Sequence, residues 1–239
     1  MPTQNPDPMP ARPVNSEIQG VLWDMDGTLL DTEPYWMAAE AALVAEFGGR
    51  WSEAQALGLV GNALPDAAAA LQRAGVDLPE REIIDRLTAE VLAGVARRVD
   101  WRPGALELLE ALHGANVPCG LVTMSEEPLA ALVLDQLPKK YFAFRVTGDM
   151  VSRGKPHPDP YLLGLEKLGE LVPDLDPSRV VGIEDSAPGI AAAAASGIAA
   201  VLVEHIAPVP DSPSWQRVDS LAGLDIESLG ALASIGVRA

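Results

Sequence analysis

Hydrophobic positions along this chain change their period twice. Ile18-Gln19-Gly20-Val21-Leu22-Trp23 is a short, nearly continuous apolar run that stops at Asp24, the pattern of a buried strand. From about residue 33 the apolar positions recur every three or four residues. Trp36, Ala39, Leu43 and Phe47 mark one helix face, with Pro34 in the first turn and Gly48-Gly49 as the stop. A second helix is expected from about Pro65 to Ala74, closed by Gly75, and a third carries Ile84, Leu87, Val91 and Val95 on one stripe. Residues 32–100 therefore read as a block of helices without a strand.

Beyond Trp101-Arg102-Pro103-Gly104 helix and strand alternate. A helix with Leu106, Leu109 and Leu112 leads to the strand Cys119–Thr123, and one with Leu129, Leu132 and Val133 to the strand Phe142–Thr147. The helix of Tyr161, Leu162, Leu165 and Leu168 precedes the strand Arg179–Glu184. An alanine-rich helix over about Gly189–Ala195 precedes the strand Ala199–Val203, and a last helix is expected in the final 20 or so residues. Apolar strands separated by helices predict an α/β protein whose parallel sheet is covered on both faces. The small side chains of Ala191–Ala195 would let their helix lie close on that sheet.

Composition narrows the class. A chain of 239 residues makes one large domain or two smaller ones and needs no disulfide to fold. No apolar run approaches the ~20 residues of a membrane span. The single cysteine, Cys119, excludes an internal disulfide and reads as an apolar filler. Seventeen basic against 34 acidic residues, net −17, argue against binding nucleic acid or an anionic membrane through a general basic surface. Residues 1–16 hold five prolines and no apolar leader, so they are expected to be a disordered tail on a cytoplasmic protein.

Four polar stations follow predicted strand ends: Asp24/Asp26, Thr123, Lys155 and Glu184/Asp185. Thr123 and Lys155 lie 32 residues apart, and Lys155 and Asp185 lie 30 apart, each about one βαβ unit, so each step returns the chain to the same sheet edge. The longer interval from Asp24 to Thr123 is filled by the helical block, which places that block over the same edge. Asp24, Glu184 and Asp185 would make an all-oxygen pocket suited to Mg²⁺. An aspartate can also be a phosphoryl nucleophile, and Asp26 could protonate a leaving alkoxide. Thr123 offers a hydroxyl and Lys155 a point charge for phosphoryl oxygens. Gly27 permits a positive φ that brings backbone N–H groups to an anion. Taken singly, each is also what an ordinary loop contains: Asp-x-Asp is common in solvent, and Glu184-Asp185 could cap the next helix.

Together the stations resemble a known family. Asp24-Met25-Asp26-Gly27-Thr28-Leu29-Leu30-Asp31-Thr32-Glu33 resembles the first motif of the haloacid dehalogenase superfamily. Thr123 is similar to its second motif, Gly154-Lys155-Pro156-His157-Pro158-Asp159 to its third and Gly182-Ile183-Glu184-Asp185-Ser186 to its fourth. The match spans about residues 18–205, and the helical insert resembles the cap of the β-phosphoglucomutase-like subgroup. The resemblance implies a Rossmann-like catalytic core (residues 17–31 and 101–239) with a small all-helical cap domain (residues 32–100). It implies that Asp24 attacks phosphorus and ligates Mg²⁺. Asp26 would be general acid, then base, and give its backbone carbonyl to the metal. Thr123 and Lys155, with Met124 and Gly27 beside them, would hold the phosphoryl group. Asp185, with help from Glu184, would complete the metal site.

Within that superfamily Asp26 argues against dehalogenation. Schiff-base phosphonate hydrolysis needs a cap lysine, and residues 32–100 contain none. The expected activity is a Mg²⁺-dependent phosphatase of a small-molecule phosphate ester, a sugar or polyol phosphate. The alternatives are a sugar-phosphate mutase and a non-catalytic phosphometabolite-binding protein. Trp36 and Leu64 stand where β-phosphoglucomutases carry a cap histidine and a cap arginine, which favours the phosphatase. Arg50 or Arg73 could supply a substitute grip. His157, His113, His205, Trp36 and Trp51 are read first as packing or surface residues. Glu33-Pro34 and Trp101–Gly104 are candidate hinges, and monomer and homodimer both remain open.

Overall fold

Successive residues of the central strands are buried on alternate faces, and that alternation divides the core into two layers. The structure is a computed structural model and describes residues 18–236; the expected tail at residues 1–16 lies outside the described residues. Six strands, β1 (Gly20–Trp23), β2 (Cys119–Val122), β3 (Phe142–Val146), β4 (Val180–Glu184), β5 (Ala199–Val203) and β6 (Gln216–Val218), form one parallel sheet ordered β3-β2-β1-β4-β5-β6. Val21 and Trp23, Val181 and Ile183, and Val201 and Val203 enter one apolar layer. Leu22, Val180, Ala200 and Leu202 enter the other. A strand covered on both faces has no solvent side, so its sequence is apolar throughout.

Helices α1 (Glu33–Glu46), α2 (Glu53–Leu57), α3 (Leu64–Arg73) and α4 (Glu80–Arg97) lie between β1 and β2. They are followed by α5 (Ala105–Gly114), α6 (Glu127–Asp135), α7 (Asp159–Gly169), α8 (Ala187–Ala195) and α9 (Ile226–Gly236). Helices α5, α6 and α9 cover the first sheet face, and α7 and α8 the second. Glycines allow the second pair to come close. A Cβ on Gly20 would lie 2.5 Å from Leu168 of α7, and one on Gly182 would lie 3.2 Å from the Ala193 methyl of α8. Among the described residues no helix is long and apolar enough to cross a membrane.

Two short elements escape the periodicity. Helix α2 is too short to show a stripe, but Ser52 and Gln55 close a capping box at its start, a signature legible as Ser-x-x-Gln. Strand β6 is the half-buried tripeptide Gln-Arg-Val on the sheet edge, with no apolar run to betray it.

The helical block has an apolar cluster of its own, built on Leu43, Val44, Leu71, Ile83 and Leu87. Val91 and Val95, farther along α4, belong instead to the sheet's first layer, so α4 is shared between the two. The outgoing and returning chains run side by side. The Asp31 amide donates to the Asp100 carbonyl at 2.8 Å, and Leu30 bridges Trp101. The candidate hinge segments therefore adjoin one another.

Inside the block Glu40 is buried, and its Oε2 accepts from Trp51 Nε1 at 3.0 Å. Burial pushes its carboxyl up to about 7, against an ordinary 4.5, with the Trp51 bond opposing. The folded state then holds a proton that the unfolded chain releases. Stability contributed by the neutral form is lost as pH rises from about 4.5 towards 7. Glu40→Gln is expected to relieve this, raising stability at pH 8 by about 2 kcal/mol and Tm by roughly 4–8 °C. The gain should shrink clearly at pH 5. Thermal melts of both proteins at the two pH values check it, and a gain of equal size at each would refute the account.

Candidate active site

Sheet order places the site. From β1 the chain moves to β2 and β3 on one side, then returns to β4, β5 and β6 on the other, so the order reverses between β1 and β4. Open α/β sheets bind ligands in the crevice outside the strand C-termini at such a point. Trp23 is in register with both Leu121 and Ile183, so Asp24, Thr123 and Glu184-Asp185 leave their strands at one edge. Lys155, from the loop between β3 and α7, reaches the same edge.

The centre is a buried charge cluster. Lys155 is 2% exposed, and its Nζ lies 2.6 Å from Asp24 Oδ1, 2.6 Å from Glu184 Oε1 and 3.0 Å from the Val122 carbonyl. The Tyr161 hydroxyl donates to Glu184 Oε1 at 2.6 Å. Burial opposes the charge on Lys155, yet Asp24 and Glu184 beside it hold the ammonium well above the ordinary lysine range. Asp24 is pushed up to about 7 by burial and by Glu184, with Lys155 opposing. Asp185 is raised well above the carboxylate range by burial and then by Asp24 and Glu184.

One ammonium does not balance three carboxyl groups. Oxygens of Asp24, Glu184 and Asp185 all lie within 4.8 Å of one another, and Asp24 Oδ2 and Asp185 Oδ2 are buried without a hydrogen-bond partner. Hard, partly orphaned oxygens at this spacing fit a divalent cation such as Mg²⁺. Gly27, at φ +83°, makes the approach possible, since a Cβ there would lie 2.0 Å from Asp185 Oδ2. The Gly27 amide itself donates to the Leu30 carbonyl at 2.8 Å. What this glycine visibly supplies is thus the turn and the room for Asp185.

Asp26 sits in a different environment. Its Oδ1 accepts from Thr32 Oγ1 at 2.5 Å and Trp36 Nε1 at 3.2 Å, and its Oδ2 from Ser125 Oγ at 2.8 Å and Thr123 Oγ1 at 3.1 Å. Thr123, expected to face a phosphoryl group, also accepts from the Ser125 amide at 3.0 Å. Met124 lines the cavity and takes the Lys155 amide on its sulfur at 3.2 Å. Thr32, Ser125 and Tyr161 were not legible as site residues, because a lone hydroxyl carries no sequence signal. Trp36, read first as packing, both packs and bonds Asp26. The other aromatic and histidine readings hold. Trp51 packs in the block, His157 pairs with Asp159, and His113 stacks edge-on against Tyr141. His205 lies 3.0 Å from Asp31, and the buried Cys119 thiol is pushed up to about 12.

A cavity of about 60 Å³ lies between these groups and the helical block. Glu33, Trp36 and Glu40 of α1 line it, together with Asn62, Leu64 and Leu87. Arg50 and Arg73 do not line it. The loop before α3 rests on the core, since a Cβ on Gly61 would lie 2.1 Å from Ser186 Oγ.

Comparison with known proteins agrees with this arrangement. Residues 18–197 match the family model described as haloacid dehalogenase-like hydrolase. A phosphorylated carbohydrates phosphatase from Thermotoga maritima is 31% identical over 186 residues, 76% of this chain and 82% of that protein. A phosphoglycolate phosphatase from Escherichia coli is 32% identical over 210 residues, 77% of this chain and 81% of that protein. The crystal structure of CbbY from Rhodobacter sphaeroides, in complex with xylulose-(1,5)bisphosphate, superposes with a TM-score of 0.77 at 26% identity. That alignment covers 89% of this chain and 99% of the other. The chain belongs to the haloacid dehalogenase-like hydrolase family, in its subgroup of phosphatases and β-phosphoglucomutase-like enzymes.

Proposed function

We propose that this phosphoric monoester hydrolase is a Mg²⁺-dependent phosphatase of a small sugar or polyol phosphate, working through an aspartyl-phosphate on Asp24. The observation that carries the reading is the Asp24 carboxyl itself. It is buried, it is gripped by Lys155 on one oxygen only, and it stands two residues from a second aspartate held by four donors.

In the first step an oxygen of Asp24 attacks phosphorus while the ester P–O bond breaks, and Asp26 gives a proton to the departing alkoxide. In the second, Asp26 takes a proton from water as that water attacks phosphorus, releasing phosphate and freeing Asp24. The Thr123 hydroxyl and the Lys155 ammonium, with Met124 in the adjoining loop, would hold the phosphoryl oxygens, whereas Gly27, its amide already bonded to the Leu30 carbonyl, would shape the turn beside them. Asp24, Asp185 and the Asp26 backbone carbonyl, backed by Glu184, would hold Mg²⁺, whose charge offsets that of the phosphoryl group. Residues 32–100 act in this reading as a cap over a core made of residues 17–31 and 101–239. A mutase needs a grip for a second phosphate. Among the described residues Lys155 is the only cation lining the cavity, and Trp36 and Leu64 occupy two of its walls, which supports hydrolysis over transfer.

Phosphate release from sugar and polyol monophosphates is expected to require Mg²⁺, to stop with EDTA and to fall at least 10³-fold in Asp24→Asn. Isomer formation from glucose 1-phosphate that depends on a bisphosphate primer, with little free phosphate, would establish the mutase instead. Trp36→Phe removes one of the four donors on Asp26 and should lower kcat about tenfold with little change in KM. A change confined to KM would show that the indole serves binding rather than Asp26.

A further inference from the structure

Every donor on the buried ammonium is already spent. Lys155 carries three N–H bonds, and three oxygens surround its Nζ: Asp24 Oδ1 and Glu184 Oε1 at 2.6 Å each, and the Val122 carbonyl at 3.0 Å. A phosphoryl oxygen entering the cavity can take an N–H from Lys155 only if one of these contacts is given up. The two carboxyl groups are not equally able to spare it. Asp24 Oδ2 has no hydrogen-bond partner, so Lys155 is the only side-chain donor on that carboxyl among the described residues. Glu184 is better supplied. The Tyr161 hydroxyl donates to the same Oε1 at 2.6 Å, and Ser186 Oγ lies 3.5 Å from Oε2.

Position favours the same partner. Lys155 and Asp24 line the cavity, whereas Glu184 and Tyr161 do not. An ammonium that turns towards a ligand in the cavity therefore leaves Glu184. That carboxyl is fully buried, and a buried carboxylate deprived of its cation is costly unless another donor stays on it. Tyr161 is placed to be that donor. It too is fully buried, and its ring centroid lies 5.4 Å from Nζ, within reach of a cation–π contact. The ring thus supports the ammonium while the hydroxyl holds the carboxylate that the ammonium leaves.

We infer that Tyr161 is a positioning residue whose hydroxyl keeps Glu184 Oε1 bonded while Lys155 exchanges that oxygen for one of the phosphoryl group. The inference rests on the phosphatase reading and deepens it, but it concerns the binding step, which is measured without turnover.

Calorimetric titration of the full chain with inorganic phosphate at saturating Mg²⁺ reads that step. Tyr161→Phe keeps the ring and removes the hydroxyl, and it should weaken phosphate about tenfold, as loss of a hydrogen bond to a charged group does. Mn²⁺ bound without phosphate, followed by electron paramagnetic resonance, should keep its affinity within about threefold, whereas a residue that only orients the metal site would cost about 10–100-fold. In Glu184→Gln no carboxylate is stranded when Lys155 turns. Phosphate should then bind about threefold tighter or more, and adding Tyr161→Phe should cost less than about twofold. Should Tyr161→Phe alone not fold, the Glu184→Gln comparison decides. Unchanged phosphate affinity in Tyr161→Phe, an equal loss in the Glu184→Gln background, phosphate no tighter in Glu184→Gln, or a loss of Mn²⁺ affinity as large as that of phosphate overturns the exchange. A wild type that binds no phosphate overturns it together with the phosphatase reading. One that binds phosphate yet hydrolyses no monoester, p-nitrophenyl phosphate included, overturns that reading alone.

Discussion

A single buried ammonium ties together the catalytic edge of the sheet. Lys155 Nζ touches the residue after β1, the last residue of β4 and the final carbonyl of β2, three neighbouring strands. Desolvating that charge is expensive, and so is desolvating the carboxylates around it; each is tolerable only because the others are present. Removing one partner of a buried pair typically costs about 3–5 kcal/mol, because the survivor is left unpaired. The balance is also incomplete by design of the sequence. Asp24, Glu184 and Asp185 bring more negative charge than Lys155 neutralises, and two of their oxygens have no partner. The same shortfall that would destabilise an isolated core is what makes the cluster fit a divalent cation.

Asp24 and Asp26 show how two like residues two positions apart acquire different surroundings. Asp24 ends a strand buried on both faces and inherits its dry environment. Asp26 turns away from the sheet and meets four donors, two from the start of the helical block (Thr32, Trp36) and two from the loop after β2 (Thr123, Ser125). Its carboxyl is therefore a junction between block and core. Movement of the block relative to the sheet would pull on two of those four bonds. In the proposed mechanism, proton transfer at Asp26 would in this way be coupled to how the block sits, through named contacts and without a longer pathway.

The sequence disclosed the sheet and the polar stations well, and for one reason. Strands covered on both faces must be apolar throughout, so β1, β2, β4 and β5 stand out, and the polar residue that ends each run marks the catalytic edge. Strand β6 and helix α2 were hidden because one is short and polar and the other is stabilised by a cap rather than a stripe. Within the site, the charged residues were legible by their spacing, whereas Thr32, Ser125 and Tyr161 were not. A hydroxyl acquires a role only from the carboxylate it faces, and that pairing joins residues 99 apart for Ser125 and Asp26. Glu33 was read only as the end of the first motif and part of a hinge, and Glu40 went unread, because acidic residues are ordinary on a partly exposed helix and nothing in their spacing shows that both line the cavity.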